Sequence, residues 1–148
     1  MPTEKDTWDL TQMFENTEKW RDGLEKAKTL TQTLAAMQGT ITKSADNLYN
    51  ALQTNDQLGE TLTALFVYAK MYFDQNMSNG EAKDLYETAD SVYTALAEQI
   101  AFLEPELLEL TPEIFADYIA QKPELKLYQF LMEGLFEQKE HIFNQQIE

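Results

Sequence analysis

His141 is the only histidine in the 148 residues, and cysteine is absent. It stands in Lys139-Glu140-His141-Ile142, one helical step of four after Glu137, and Glu133 lies a further four back. On a helix that spacing aims the three side chains toward one side, which is the one arrangement here with the look of a metal-ligand set. A zinc helix of the H-E-x-x-H type needs a second histidine and is excluded within this chain. Two ligands do not hold a metal, and a lone histidine near the negative end of a helix dipole has an ordinary structural explanation. We therefore assign no metal ligand. Nucleophilic catalysis fares no better: a His-dependent triad would have to use His141, there is no G-x-S-x-G elbow, and no thiol exists. Neither a G-x-x-x-x-G-K-[ST] loop nor a G-x-G-x-x-G turn is present, nor is a D-x-[DN]-x-[DN]-G calcium loop. With 26 acidic residues, the proximity of two carboxylates does not mark a hydrolase dyad. Asn76-Met77-Ser78 fits a glycosylation sequon, but reads as a helix boundary. Composition and spacing by themselves assign no catalytic, cofactor-binding or metal residue.

Charge narrows the partners. The chain carries 26 acids against 11 bases, a formal net charge of −15. Phosphate backbones attract Lys and Arg and repel such a surface, so nucleic acid is not an expected partner. Anionic membrane surfaces are disfavoured for the same reason. The charge is unevenly spread, with nine acids and no base between Lys83 and Lys122. That stretch reads as a solvated acidic helix face, or as a docking surface for a basic partner. The opening MPTEKDTWDL lacks a signal-peptide core, and no run approaches the roughly 18 apolar residues of a membrane span. The expectation is a cytoplasmic soluble protein.

The elements that would position these residues are helical nearly throughout. Asn16 can cap a helix whose apolar side is Trp20, Leu24, Ala27, Leu30, Leu34 and Met37, with Gly39 just past its end. Ser44 can start a short second helix carrying Leu48, Tyr49 and Leu52, and Asn55 a longer third with Leu58, Leu62, Leu65, Ala69 and Tyr72. The middle of the third, Ala64 to Ala69, is apolar all round and predicts a central position in a bundle. Ser78 followed by Glu81 fits a capping box. A stripe of Leu85, Ala89, Val92, Leu96, Ile100 and Leu103 follows, with Asp84, Glu87, Ser91, Thr94 and Glu98 opposite, ending near Pro105. Thr111-Pro112 opens a short helix to about Ala120, and Pro123 begins another with Leu127, Tyr128, Phe130, Leu131, Leu135 and Phe136 on a wide apolar face. No segment alternates with period two. The predicted class is all-α, an antiparallel bundle of about six or seven helices.

Three stretches together resemble the N-terminal region of oligoendopeptidase F, a thimet-type zinc metallopeptidase family. Thr7-Trp8-Asp9-Leu10 with Phe14 looks like its opening, and Phe102-Leu103-Glu104-Pro105-Glu106-Leu107-Leu108 like its F-x-x-P-E-[IL]-L element. Pro123-Glu124-Leu125-Lys126-Leu127-Tyr128, then Leu131 and Lys139-x-His141, looks like the segment closing that region. Their order and spacing, from Trp8 to Glu148, carry the resemblance. It implies a helical, cytoplasmic enzyme that cleaves short peptides internally, with zinc held downstream by H-E-x-x-H and a glutamate.

On that resemblance the chain is expected to be an excised or truncated N-terminal domain, inactive alone. The organisation predicted is an extended segment over 1–15, a helical lobe over 16–143 and the start of a further helix over 144–148, where Asn144 replaces the family's usual Ser cap. No cofactor belongs to this chain, and zinc is expected in the missing C-terminal catalytic domain. The implied partners are that catalytic domain and, in the full-length enzyme, an oligopeptide enclosed between the two lobes. Without the catalytic domain, part of the apolar face at 124–136 should be exposed or self-associated. The competing reading is a free-standing acidic interaction module.

Overall fold

The computed structural model describes residues 14–147. The Trp8-Asp9-Leu10 motif, the expected segment over 1–15 apart from its last two residues, and Glu148 lie outside them. Six α-helices and one 3-10 helix, and no strand, are found among the described residues, so the chain is all-α. They are α1 (Thr17–Ala35), α2 (Ala45–Gln75), α3 (Gly80–Gln99), α4 (Leu103–Leu107), α5 (Pro112–Gln121), the 3-10 helix (Pro123–Tyr128) and α6 (Gln129–Ile147). The chain divides into two compact units, one of residues 14–33 and 55–99 and the other of 34–54 and 100–147.

The first unit is three antiparallel helices. Asn16 caps α1 as expected, its Oδ1 accepting from the Lys19 amide at 2.9 Å. Trp20, Leu24 and Ala27 are buried. The Trp20 indole donates to the Leu65 carbonyl at 2.9 Å, which satisfies the one polar atom of an otherwise apolar side chain. Phe14 meets Tyr68 edge to face at 5.4 Å, so the pairs 20–65 and 14–68 fix α1 and α2 as antiparallel. Gly23 permits their close approach, because a Cβ there would stand 2.9 Å from the Phe14 ring and 3.0 Å from Leu65. Phe66 and Phe73 pack on Tyr86, and Phe66 on Tyr93, which sets α3 antiparallel to α2. Of the segment predicted to be central, Leu65, Tyr68 and Ala69 are buried, while Phe66 and Val67 remain half-exposed.

Three predicted boundaries are corrected. No break occurs at Asn55: α2 runs unbroken from Ala45 to Gln75. Asn is a weak helix former rather than a breaker, and buried Leu48, Ala51, Leu52, Leu58 and Leu65 keep one continuous helical spacing. The cap of α3 is Asn79, not Ser78, for Asn79 Oδ1 accepts from the Glu81 amide at 2.8 Å and the helix begins at Gly80. The stripe predicted to run to Leu103 ends at Gln99, and Leu103 starts α4. Pro105 explains this: its ring would clash with the carbonyl four residues back, whereas in the first turn of a new helix its missing N–H costs nothing.

The second unit holds α4, α5, the 3-10 helix and α6 with residues 34–54. Thr111 caps α5 as predicted, its hydroxyl accepting from the Ile114 amide, with Pro112 at the first helical position. Pro123 does not open an α-helix. Lys122 is extended before it, as a residue preceding proline tends to be, and six residues of 3-10 helix follow. In a 3-10 turn residues i and i+3 share a side, so Leu125 and Tyr128 both turn inward. The helix expected to start at Asn144 is not separate. That residue lies inside α6, which continues to Ile147, since nothing at 143–144 interrupts the ladder.

Candidate functional site

Glu133, Glu137 and His141 all sit on α6 and all are exposed. They are not brought to one point. Glu133 Oε1 accepts from Gln129 Nε2 at 3.1 Å, and His141 Nε2 lies 3.0 Å from Gln145 Nε2. Among the described residues no three His, Cys, Asp or Glu side chains are grouped to hold a metal ion. The donors here do not fit a zinc ion.

What the second unit does present is an apolar strip. Because the 3-10 turns send Leu125 and Tyr128 inward, Leu127 points out and is 75% exposed. One turn on, Phe130 is 90% exposed and Leu131 is 45% exposed, while Met132 and Leu135 carry the buried side of α6. An aromatic ring left almost wholly in water is the uncommon feature here, since scattered exposed leucines need no explanation. The wide apolar face expected over 124–136 is thus split. Leu125, Tyr128, Met132 and Leu135 are core; Leu127, Phe130 and Leu131 are open.

The strip rests on a well-tied base. Lys122 is held between Asp46 at 3.1 Å and Glu124 at 3.5 Å, with its ammonium 4.9 Å from the Tyr49 ring centroid. The hydrogen bond to Asp46 raises its pKa above the ordinary 10.5; burial opposes this, and the charges of Asp46 and Glu124 add to it. Tyr49 in turn meets Tyr128 edge to face at 6.3 Å. Further along, Phe115 packs on Phe136, and Lys139 Nζ donates to the Leu108 carbonyl.

Glu106 is a residue whose role the sequence did not show. Its Oε1 accepts from the Gly39 amide at 2.7 Å and its Oε2 from the Ile41 amide at 3.0 Å. Gly39 has φ +88°, the left-handed conformation foreseen for a residue past the end of α1. Tyr118 secures the same stretch by donating from its hydroxyl to the Thr42 carbonyl at 2.7 Å. The glutamate of the F-x-x-P-E-[IL]-L element is therefore a clamp on the 39–41 turn, made by an ionised group with two backbone donors.

Comparison with known proteins agrees with this region's motifs. The family model described as oligopeptidase F matches residues 106–148, which contain both Glu106 and the apolar strip. Oligopeptidase PepF of Bacillus subtilis (strain 168) is 33% identical over 144 residues, covering 97% of this chain and 22% of that protein. The chromosomal oligoendopeptidase F of Lactococcus lactis subsp. cremoris is 34% identical over 141 residues, covering 94% of this chain and 23% of its own length. Over nearly its whole length this chain is similar to the N-terminal region of oligoendopeptidase F. It spans less than a quarter of the length of these two relatives. The crystal structure of oligoendopeptidase-F from Enterococcus faecium superposes with a TM-score of 0.73 at 20% identity, over 82% of this chain and 24% of that one, and shows the same fold. No helix among the described residues is long and apolar enough to cross a membrane.

Proposed function

We propose that this chain is the non-catalytic N-terminal helical region of a zinc-dependent oligoendopeptidase that hydrolyses short peptides in the cytoplasm. Its part is to help enclose the substrate groove, with the zinc and its ligands supplied by a catalytic domain of the same polypeptide. The observation that carries this reading is the match along 97% of the chain to a protein more than four times its length. The apolar strip supports it. Leu127, Phe130 and Leu131 are the kind of surface that a permanent interface covers, apolar and without charge among them. Enclosure by helical lobes would admit short extended peptides and keep folded proteins out.

The reading has a direct genetic check. Sequencing the gene beyond codon 148 should reveal an open frame continuing to an H-E-x-x-H helix; a stop codon with no such motif would refute it. The isolated chain, supplied with zinc, should hydrolyse no peptide, and turnover there would show that the donors on α6 had been misread.

A further inference from the structure

A second apolar surface lies on the first unit, and its surroundings differ from those of the strip. On the open side of α2 and α3 a groove of about 320 Å³ is lined by Leu62, Thr63, Phe66, Val67, Asp90 and Tyr93. Tyr93 is 53% exposed although its ring stands 6.5 Å from that of Phe66. Through Thr63 and Val67 the groove continues along α2 into an open depression of about 560 Å³ that reaches Glu60 and Asn55. From Asn55 to Val67 the helix gives a track of about 18 Å.

The walls carry charge of one sign. No lysine or arginine occurs in 55–69 or in 84–99, whereas Glu60, Asp90 and Glu98 do, together with Asp56, Asp84 and Glu87. Asp84 pairs with Arg21 and Glu87 with Lys83, both on the surface. Among the described residues Glu60 and Asp90 make no ion pair, and Asp90 stands beside the exposed Tyr93. Carboxylates beside an apolar floor repel anionic partners and favour cationic ones. They suit a ligand that carries both a cation and a large apolar side chain.

We infer that the α2/α3 groove binds a cationic peptide in trans, seating an aromatic or long aliphatic side chain between Phe66, Val67 and Tyr93 and its lysines or arginines on Glu60 and Asp90. A separate, reversibly bound peptide fits better than a permanently attached segment, because transient interfaces are polar and charge-steered where permanent ones are apolar. This inference does not depend on the peptidase reading, and concerns surface that the strip does not include.

The test is fluorescence anisotropy with a labelled lysine-rich peptide bearing a central phenylalanine, alongside the same peptide with glutamate for each lysine. The lysine peptide should bind saturably at low salt and release as salt rises, and the glutamate peptide should not bind. Glu60→Gln with Asp90→Asn should weaken binding about fivefold or more. Tyr93→Ala should weaken it by about tenfold, as loss of an aromatic anchor does. The charge-matched Glu137→Gln with Glu140→Gln, on the second unit, should change it less than about twofold, and amide chemical shifts should move at 62–67 and 90–93. Absence of saturable binding, equal losses in the two double variants, or unchanged affinity in Tyr93→Ala would each overturn the inference. Circular dichroism of Tyr93→Ala guards against misfolding, and the Glu60/Asp90 variant tests the groove without altering its apolar floor.

Discussion

Single side chains in this molecule are spent on tying turns together rather than on chemistry. Glu106 is the clearest instance. Replacing it by Gln removes a charged acceptor and sets an amide NH2 against a backbone N–H, at a cost of about 1–3 kcal/mol; urea denaturation of Glu106→Gln should show the loss with an unchanged m-value. Nothing in the sequence could have disclosed the clamp, because its donors lie 67 and 65 residues away along the chain. Gly39, by contrast, was legible: a lone glycine past an apolar stripe marks a left-handed residue, and the structure has φ +88° there. Lys122 gives a pH dependence of definite sign. Its folded pKa is raised, so the stabilisation from Asp46 and Glu124 is present below the ordinary 10.5 and is lost as pH rises through the folded value. Tyr68, raised above 10.0 by burial first and by Tyr72 and Glu81 next, acts in the same direction. Urea midpoints should therefore fall above pH 10.5, and Lys122→Met should make that fall shallower without removing it. An alkaline slope identical in Lys122→Met would contradict the role assigned to the pair.

At the level of helices, periodicity revealed faces well and ends poorly. The stripe on α3 was placed correctly at Leu85, Ala89 and Leu96, which are buried, with Glu87 and Glu98 exposed opposite them. Leu96→Asp should cost about 3 kcal/mol or more, because it buries an unpaired carboxylate, while Glu98→Lys should stay within about 0.5 kcal/mol. Thermal melts showing the two variants alike would mean the phase of α3 is wrong. Ends depend on local competition that periodicity does not report. Ser78 and Asn79 are both good caps, and the choice between them rests on which side chain reaches the Glu81 amide. Asn55 looks like a start only when the buried residues on both sides of it are not seen to be in phase. The 3-10 helix at Pro123–Tyr128 was hidden for a related reason: a period of three and one of 3.6 are indistinguishable over six residues. Glycine offers a paired test of backbone rather than contacts. Gly59→Ala, in mid-helix with nothing within 4 Å of the added Cβ, should stabilise by about 0.5–1 kcal/mol. Gly39→Ala should destabilise, since φ +88° is strained for any residue with a Cβ.

Across the whole molecule, the all-α class was readable from spacing alone, whereas the division into two compact units was not. Which helices cluster is decided by long-range pairs such as Trp20 with Leu65 and Tyr118 with Thr42, and no local pattern marks them. The net charge of −15, which first argued against nucleic acid, acquires a location in the acid-lined groove of the first unit. The apolar strip at Leu127, Phe130 and Leu131 has the opposite character, and on the account proposed here it is the contact with the catalytic part of the polypeptide. A monomeric chain with that strip uncovered should bind a dye for exposed apolar surface, and Phe130→Asp should reduce the dye signal without lowering stability. The most direct measurement is reconstitution. The chain is mixed with a fragment of the Bacillus subtilis relative that lacks the matched N-terminal region, and hydrolysis of a short fluorogenic peptide is followed with zinc present. The account predicts that the chain restores hydrolysis to a fragment that has little alone, and that Phe130→Asp fails to do so. Full hydrolysis by the fragment alone, or equal rescue by Phe130→Asp, would contradict it.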